Sequence, residues 1–429
     1  MYGLKLGLRS LLYRKKQYTA LFLVCMVGVG ISLFCLFLVE GMLSSLEDKA
    51  KLYYGGDFTF IGGQNELTFS NVDNFIEKLE LVFPDGSVVS PRFDFDADYS
   101  SFYFEGTEAR QRVIKGVDFS KEMELFQGFN YLEGNPLNMA GSNGVLLSEP
   151  IAETLGVQVG DSITFLLKTK KGYTNTVLLE VHGIFRDSSL FGMYTSYMDI
   201  DCLRKSYDVA QTWANRICID FPENYKITQE KVEAFQAQLE QEFTMFPLVD
   251  DKELFYQPLL SKKFSEPHYA LVDLYANLED LKVLIDAMKI ISAFVILILM
   301  IIIMVGVSST YRVIVMKRIN EIGIYKAIGM KRSGIFSVLL SETSLLILIG
   351  CVVGMIFSWI LCLVISQFSF SFIPAFDIFL VDGNLLPKIS FLQSLLISVL
   401  VYVTTTFAVL FSVQKSVKMT PVDALGITE

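Results

Sequence analysis

Residues 290–311 read "IISAFVILILMIIIMVGVSSTY", 22 positions without a charge. A helix rising about 1.5 Å per residue needs about 20 residues to cross a bilayer, so this run alone argues for a membrane-spanning helix. Three further runs behave alike: 19–39 (21 residues), 343–376 (34 residues) and 389–414 (26 residues). The chain is 52% hydrophobic and 19% charged over 429 residues, and its apolar surplus is gathered into these runs. Four transmembrane helices follow. The third run is longer than one crossing requires, and Pro374 near its end directs the last part out of the membrane or along the interface. The first run reads as a retained anchor and not a cleaved leader. It exceeds the usual signal core of about 7–15 apolar residues, and "LVEGMLSS" (38–45) is a poor small-x-small cleavage site.

Orientation follows from Lys and Arg beside the runs. Lys5, Arg9, Arg14, Lys15 and Lys16 precede the first, and Arg312, Lys317, Arg318, Lys326, Lys331 and Arg332 follow the second against Glu321 alone. Both segments are expected on the cytoplasmic side. Lys415 and Lys418 after the fourth run, and Asp377, Asp382 and Lys388 between the third and fourth, fit a chain with both termini inside. Residues 40–289 carry 22 basic and 40 acidic groups, so the part expected outside is acidic although the whole chain is only at −10. Cys25, Cys35, Cys351 and Cys362 lie in apolar runs and suit packing. Cys202 and Cys218 lie outside, where an oxidising compartment would permit a disulfide.

The expected fold class is an α-helical membrane protein with four transmembrane helices plus a large α+β extracytoplasmic domain, in two lobes, inserted between helices 1 and 2. The divisions are a basic amphipathic segment (1–18), helix 1 (19–42), the outer domain (43–270), stalk and helix 2 (271–312), a cytoplasmic segment (313–333), helix 3 (334–368), an outer loop (369–388), helix 4 (389–414) and a tail (415–429). In the outer domain, "SNVDNFIEKLEL" and "ITQEKVEAFQAQLEQEFTMF" have helical periodicity, the first with Ser70 and Asp73 in capping-box spacing. "SITFLL", "TVLLEVHGIF" and "RICIDF" alternate as strands. "ALVDLYANLEDLKVLIDAMK" (270–289) sets Leu271, Leu274, Leu278, Leu281, Leu284 and Met288 at steps of three and four and runs into the second span without a break, which predicts a helical stalk. "EGMLSSLEDKAKL", with Leu43, Leu46 and Ala50, predicts a shorter one.

No catalytic constellation is present. His182 and His268 are the only histidines, with no HExxH or Cys-His cluster for a metal, no G-x-S-x-G elbow and no G-x-x-x-x-G-K-[ST] phosphate loop, so the chain reads as neither an enzyme nor a nucleotide binder. Asp94, Asp96, Asp98 and Glu105 match a calcium-loop spacing, but Tyr99 stands where the turn needs glycine and the alternation is that of a strand. Within the third span Glu342 is anomalous. A carboxylate there costs about 2–3 kcal/mol unless paired, so it faces the bundle, either as a contact that changes as helices move or as a partner of neighbouring Ser and Thr hydroxyls. Gly350 and Gly354 have the spacing that lets helices approach closely.

Between the second and third spans comes "IVMKRINEIGIYKAIGMKRSG" (314–334). As a helix it places Val315, Ile319, Ile322 and Lys326 on one side, a basic amphipathic segment for the membrane surface. That leaves Gly323 and Gly329 unexplained, since each costs about 1 kcal/mol in a helix interior. They make sense where another protein approaches or the backbone turns. Here the chain resembles the FtsX-like and MacB-like permeases, the type VII ABC transporters, lipoprotein-releasing types most of all. Glu321, Ile322, Gly323, Lys326, Ala327, Ile328 and Gly329 match the family's "EIG..(K/R)A(I/L)G" motif. "LGLRSLLYRKKQ", "GVLLSEPIAETLGVQVGDSITF" followed by "VHGIF", "SETSLLILIGCVVG" and "MTPVDALG" are similar to it too.

The resemblance implies that those seven residues form the coupling helix on which an ATPase docks, and that stalks with Leu274, Leu278, Leu281 and Leu284 transmit the movement outward, a scheme called mechanotransmission. It implies a bacterial inner membrane location with a periplasmic or extracellular domain. The implied partners are a cytoplasmic ABC ATPase on a separate chain, carrying the ATP and Mg, a second permease of the same or paralogous sequence as dimer partner, and a lipoprotein or peptide substrate, with no nucleic acid. This chain itself is expected to hold no cofactor. Glu342, Gly350 and Gly354 would serve transmembrane packing. The alternative within the same resemblance is a signalling permease that regulates a cell-wall hydrolase and transports nothing.

Overall fold

A computed structural model describes residues 15–417 except 65, 98–99, 188–190, 193–194, 223–224, 249–254 and 258–263. Most of the basic segment expected at 1–18, the tail from 418, and Asp98 and Tyr99 lie outside the described residues, as does the side chain of Lys326.

In chain order the elements begin with α1 (Lys15–Tyr54), β1 (Phe58–Gly63), α2 (Val72–Glu80), β2 (Val88–Asp96), β3 (Ser101–Phe104), β4 (Thr107–Arg110), β5 (Val113–Val117) and α3 (Phe119–Gln127). They continue with β6 (Tyr131–Gly134), β7 (Gly144–Ser148), α4 (Glu149–Leu155), β8 (Ser162–Lys168), β9 (Thr174–Phe185), β10 (Thr195–Asp199), α5 (Ile200–Tyr207), β11 (Arg216–Asp220) and α6 (Gln229–Glu242). The last are β12 (His268–Asp273), α7 (Leu274–Asn277), α8 (Glu279–Lys317), α9 (Ile319–Ala327), α10 (Arg332–Ile365), a 3₁₀ turn (Pro374–Phe379) and α11 (Phe391–Val417). Among the described residues, α1, α8, α10 and α11 are long and apolar enough to cross a membrane. The chain forms two compact units: a helical unit (1–44, 285–369, 384–429) and a sheet unit (45–284 and 370–383), called the outer unit after the side on which the charge pattern leads one to expect it.

The helical unit is organised around α1. Tyr18, Leu21, Cys25, Val29, Leu33 and Phe37 fall at steps of three and four and are buried against Ile303, Val307 and Tyr311 of α8, Ile347 and Cys351 of α10 and Val401 of α11. A buried stripe of this spacing is what a helix packed along one face requires. The opposite faces carry Leu and Ile at high exposure, such as Ile290 and Leu392, as suits a lipid-facing surface.

The outer unit is built on one twelve-stranded mixed sheet in the order β12-β1-β11-β2-β5-β10-β7-β9-β8-β3-β4, with β6 beside β9. Among the strands of the described residues, β5/β10 and β7/β9 pair parallel and the others antiparallel. The unit's hydrophobic side chains gather, among the described residues, into several clusters on that single sheet, two of them large. One lies under α2 and α6 around Phe60, Phe69 and Leu239, the other under α4 and α5 around Phe102, Phe165 and Leu203. The first helix starts at Val72 with Asn71 as its cap position and no side-chain cap bond, so the capping box expected from Ser70 does not form. Cys202 and Cys218 are both free thiols. Asp94, the first residue of the calcium template, lies in β2 and is paired with Lys115 and Arg216.

The stalk reading needs a correction at its start. Leu271 is in a strand: β12 pairs antiparallel with β1, Leu271 opposite Phe60, because Ala270 and Val272 alternate with it between buried neighbours. Asp273 then caps α7 by accepting from the Ala276 N–H at 2.6 Å. Leu274 and Leu278 are buried, whereas Leu284 is exposed and Ile285 takes the buried place. Next to α7, where the Tyr275 hydroxyl donates to Glu47 at 2.7 Å, α1 runs unbroken to Tyr54. Gly55 and Gly56, at φ of +96° and +126°, end it, both N–H groups bonding to the Lys51 carbonyl.

The end of α1 is gripped by buried charge. Arg92, fully buried on β2, donates from Nε to both Glu122 oxygens at 3.1 and 3.0 Å and from Nη1 to the carbonyls of Leu52 and Tyr53 at 3.0 and 3.2 Å. Lys115 sits 3.9 Å above the Tyr53 ring, and burial pulls its ammonium down to about 8. The Cys218 thiol donates to the Tyr54 carbonyl at 3.1 Å.

Asp220, at the end of β11, has its carboxyl pushed up to about 6, by burial first, with Lys51 opposing and Asp57 adding. A carboxyl whose folded value exceeds its unfolded value of about 3.9 binds more protons folded, so its contribution falls as pH rises from about 4 to 6. Asp220→Asn is therefore expected to melt higher than the parent at pH 7.5, by about 2 kcal/mol, with the gap closing near pH 4. Thermal melts at the two pH values check this.

Candidate coupling site

Among the described residues the helical unit buries one strong ion pair, and it sits where α8 gives way to α9. Lys317 ends α8, and Arg318 turns the chain, its N–H bonding to the Val315 carbonyl and its own carbonyl accepting from Ile322 N–H at 3.1 Å. The Arg318 side chain is 4% exposed and points into the bundle. Its Nη1 reaches Glu342 Oε2 of α10 at 2.5 Å and the Tyr18 hydroxyl of α1 at 2.9 Å, while Nη2 lies 3.4 Å from Glu342 Oε1. Tyr18 in turn donates to Glu342 Oε2 at 2.9 Å, and Arg318 Nε donates to Glu321 Oε2 of α9 at 3.1 Å. Glu342 is 0% exposed. One guanidinium thus ties α9 to α1 and α10, and every ring of the network is charge-assisted.

Sequence reading found half of this. Glu342 stands out as a carboxylate in an apolar run, but its partners are Arg318 and Tyr18 and not Ser or Thr. Thr343 bonds instead to the Leu339 carbonyl at 2.8 Å. Arg318 escaped notice because it is one of six basic residues whose common explanation is topology. The only signal that singles it out is that Glu342 must find a cation.

The residues matched to the coupling motif divide in two. Ile322 is 3% exposed and packs, with Val315, into the core of the helical unit, and Gly323 is buried beside it, so the amphipathic face rests on protein. Glu321 is turned towards Arg318. Ala327 and Gly329 are exposed, and Ile324 and Ile328 present 55% and 74% of their surface, an apolar step on the far side of α9. Gly329 has φ of +86° and ends the segment, the Met330 N–H bonding back to the Tyr325 carbonyl. The backbone turn is what asks for glycine there.

Gly350 and Gly354 serve the contact between α10 and α1. A Cβ on Gly350 would lie 2.7 Å from Cys25 Cβ, and one on Gly354 would lie 2.9 Å from the Met26 carbonyl oxygen and 3.0 Å from Val29 Cβ. Gly354→Leu is expected to force the two helices apart at a cost of about 1–3 kcal/mol. Loss of the monodisperse peak in size-exclusion chromatography measures it, with Gly306→Ala, whose Cβ meets only Val24 at 3.2 Å, as the mild comparison.

The described residues thus hold four membrane-length helices, a sheet domain inserted after the first and a short linking helix pinned to the bundle. Family comparison agrees at both ends of the chain: the MacB-like periplasmic core domain matches residues 21–242, and the FtsX-like permease C-terminal region matches residues 293–421. The chain belongs to the FtsX-like and MacB-like permease family and is a permease subunit of the ABC-transporter kind. A search of curated proteins finds no match.

Proposed function

We propose that this chain couples ATP hydrolysis by a separate cytoplasmic ATPase to movement of its outer domain, and so releases or exports a lipoprotein, peptide or other amphiphile by mechanotransmission. The observation that carries the reading is Arg318. A force applied to α9 meets no flexible joint, because the guanidinium binds that helix to Glu342 of α10 and Tyr18 of α1. α1 is then one uninterrupted helix to Tyr54, about 60 Å at 1.5 Å per residue, and α8 is of similar length. Both exceed what a bilayer needs, which leaves several turns of each as stalk.

The docking surface on this reading is the exposed pair Ile324 and Ile328 with Ala327. Glu321, Ile322 and Gly323 position the helix, and ATP and Mg belong to the ATPase, since the sequence holds no phosphate loop. The protein lies in the bacterial inner membrane with α9 on the cytoplasmic side and pairs with a second permease. Co-expression with a candidate ABC ATPase subunit tests the reading. Ile324→Glu with Ile328→Glu should abolish co-purification of the ATPase while the permease melts as before. An ATPase that still binds and is still regulated by this variant would remove the basis of the proposal.

A further inference from the structure

The outer unit contains an open cavity of about 580 Å³, within the range of about 300–1,000 Å³ typical of ligand sites. Its walls come from six stretches of chain far apart in sequence: the last turns of α1 from Ser45 to Leu52, Gly86 and Val88, Glu124 to Asn130, Arg186 and Asp187, Asp220 to Pro222 at the end of β11, and Asp377 to Asp382 of the 370–383 segment. That segment is fixed in place. Ser45 donates to the Leu380 carbonyl at 3.0 Å, and Lys49 donates to the Asp377 carbonyl and to its Oδ2 at 2.7 and 3.1 Å.

Six carboxylates and three cations line the cavity, and each cation already has an anion. Lys49 lies between Asp377 and Asp187, Lys51 is 2.6 Å from Asp57, and Arg186 is 3.6 Å from Glu149, the last two anions lying outside the wall. Glu124, Asp220 and Asp382 form no ion pair among the described residues, so the space is left with uncompensated negative charge. Between these acids the wall is apolar, formed by Leu52, Phe129, Phe221 and Leu380.

We propose that this cavity binds an ammonium or guanidinium group carried next to an apolar group, as in a short basic, apolar peptide segment. Asp220 supports it independently: burial holds its carboxyl at about 6, an arrangement unfavourable to the fold alone that a cation brought beside it would relieve. Because the wall joins the stalk, the sheet and the 370–383 segment, an occupant bridges all three. Binding itself does not depend on the permease reading, whereas its transmission to an ATPase does.

Calorimetric titration of the full chain in phosphatidylcholine nanodiscs, with empty discs as control, tests the site. Acetyl-Lys-Phe-Leu-Lys-amide is expected to bind and acetyl-Glu-Phe-Leu-Glu-amide not to. Glu124→Gln with Asp382→Asn should weaken the basic peptide at least tenfold. Glu124 is exposed on α3 and Asp382 sits at φ of +56°, which asparagine tolerates, so both changes leave the fold intact. Binding of 2-phenylethylamine as tightly as the peptide would uphold the charge recognition and assign it to free amines. Equal affinity for the acidic peptide, or affinity unchanged by the double substitution, would overturn the proposal. ATPase stimulation in the reconstituted complex is a separate readout: its failure with peptide binding intact counts against the permease coupling and not against the site.

Discussion

Arg318→Ala is expected to lower the stability of the helical unit by about 3–5 kcal/mol, because it leaves the Glu342 carboxylate in the bundle with only the Tyr18 hydroxyl as partner. The same magnitude need not follow from removing both charges. Replacing a buried pair by apolar residues of similar volume is often neutral, so Arg318→Met with Glu342→Leu should recover most of the lost melting temperature. What it should not recover is coupling, since α9 would then rest on α10 by apolar contact alone. Melting curves of parent, single and double variants, together with ATPase rates of the assembled complex, read both effects. A single variant that melts within a degree of the parent would show that the ion pair does not hold the bundle, and a fully coupled double variant would show that it does not transmit.

The second large effect belongs to Arg92. Arg92→Met leaves the buried Glu122 carboxylate without a cation, held by the Ser90 hydroxyl at 2.6 Å, and takes the donors from the Leu52 and Tyr53 carbonyls at the end of α1. A cost of about 3–5 kcal/mol to the outer unit follows from the unpaired charge, and the last turn of α1 loses its attachment to β2. Hydrogen exchange separates the two consequences, because amides around 50–56 should exchange faster than those of β2 itself. Lys121→Ala removes a half-exposed partner of Glu80 on the same helix as Glu122 and should change stability by less than about 1 kcal/mol. If the α1 terminus stays as protected in Arg92→Met as in Lys121→Ala, Arg92 is not its anchor.

Much of this architecture was open to reading because its signals are local. A run of 22 uncharged residues has one physical solution in a bilayer, and the alternations of "SITFLL" and "RICIDF" each declare a strand without reference to anything distant. What stayed hidden depends on partners. Leu271 fits a helical stripe and a strand equally well, and the choice is made by β1, more than 200 positions earlier, which offers Phe60 opposite it. The single sheet was hidden for the same reason, since the joins at β2/β5 and β5/β10 are long-range pairings. At the site, Glu342 was conspicuous by its surroundings and Arg318 inconspicuous by its company. Glu321 reads as an exposed contact residue until the guanidinium that claims it is known.

The unbroken course of α1 has one more consequence. A helix of 3.6 residues per turn fixes the angle between positions along it, so a single residue inserted between Tyr18 and Cys25 would rotate Cys25 by about 100° relative to Tyr18 and move it by about 1.5 Å. Tyr18 must meet Glu342 of α10 while Cys25 and Val29 must meet Gly350 and Gly354 of the same helix. This part of α1 is therefore phase-locked to α10: no single insertion between those positions keeps both contacts.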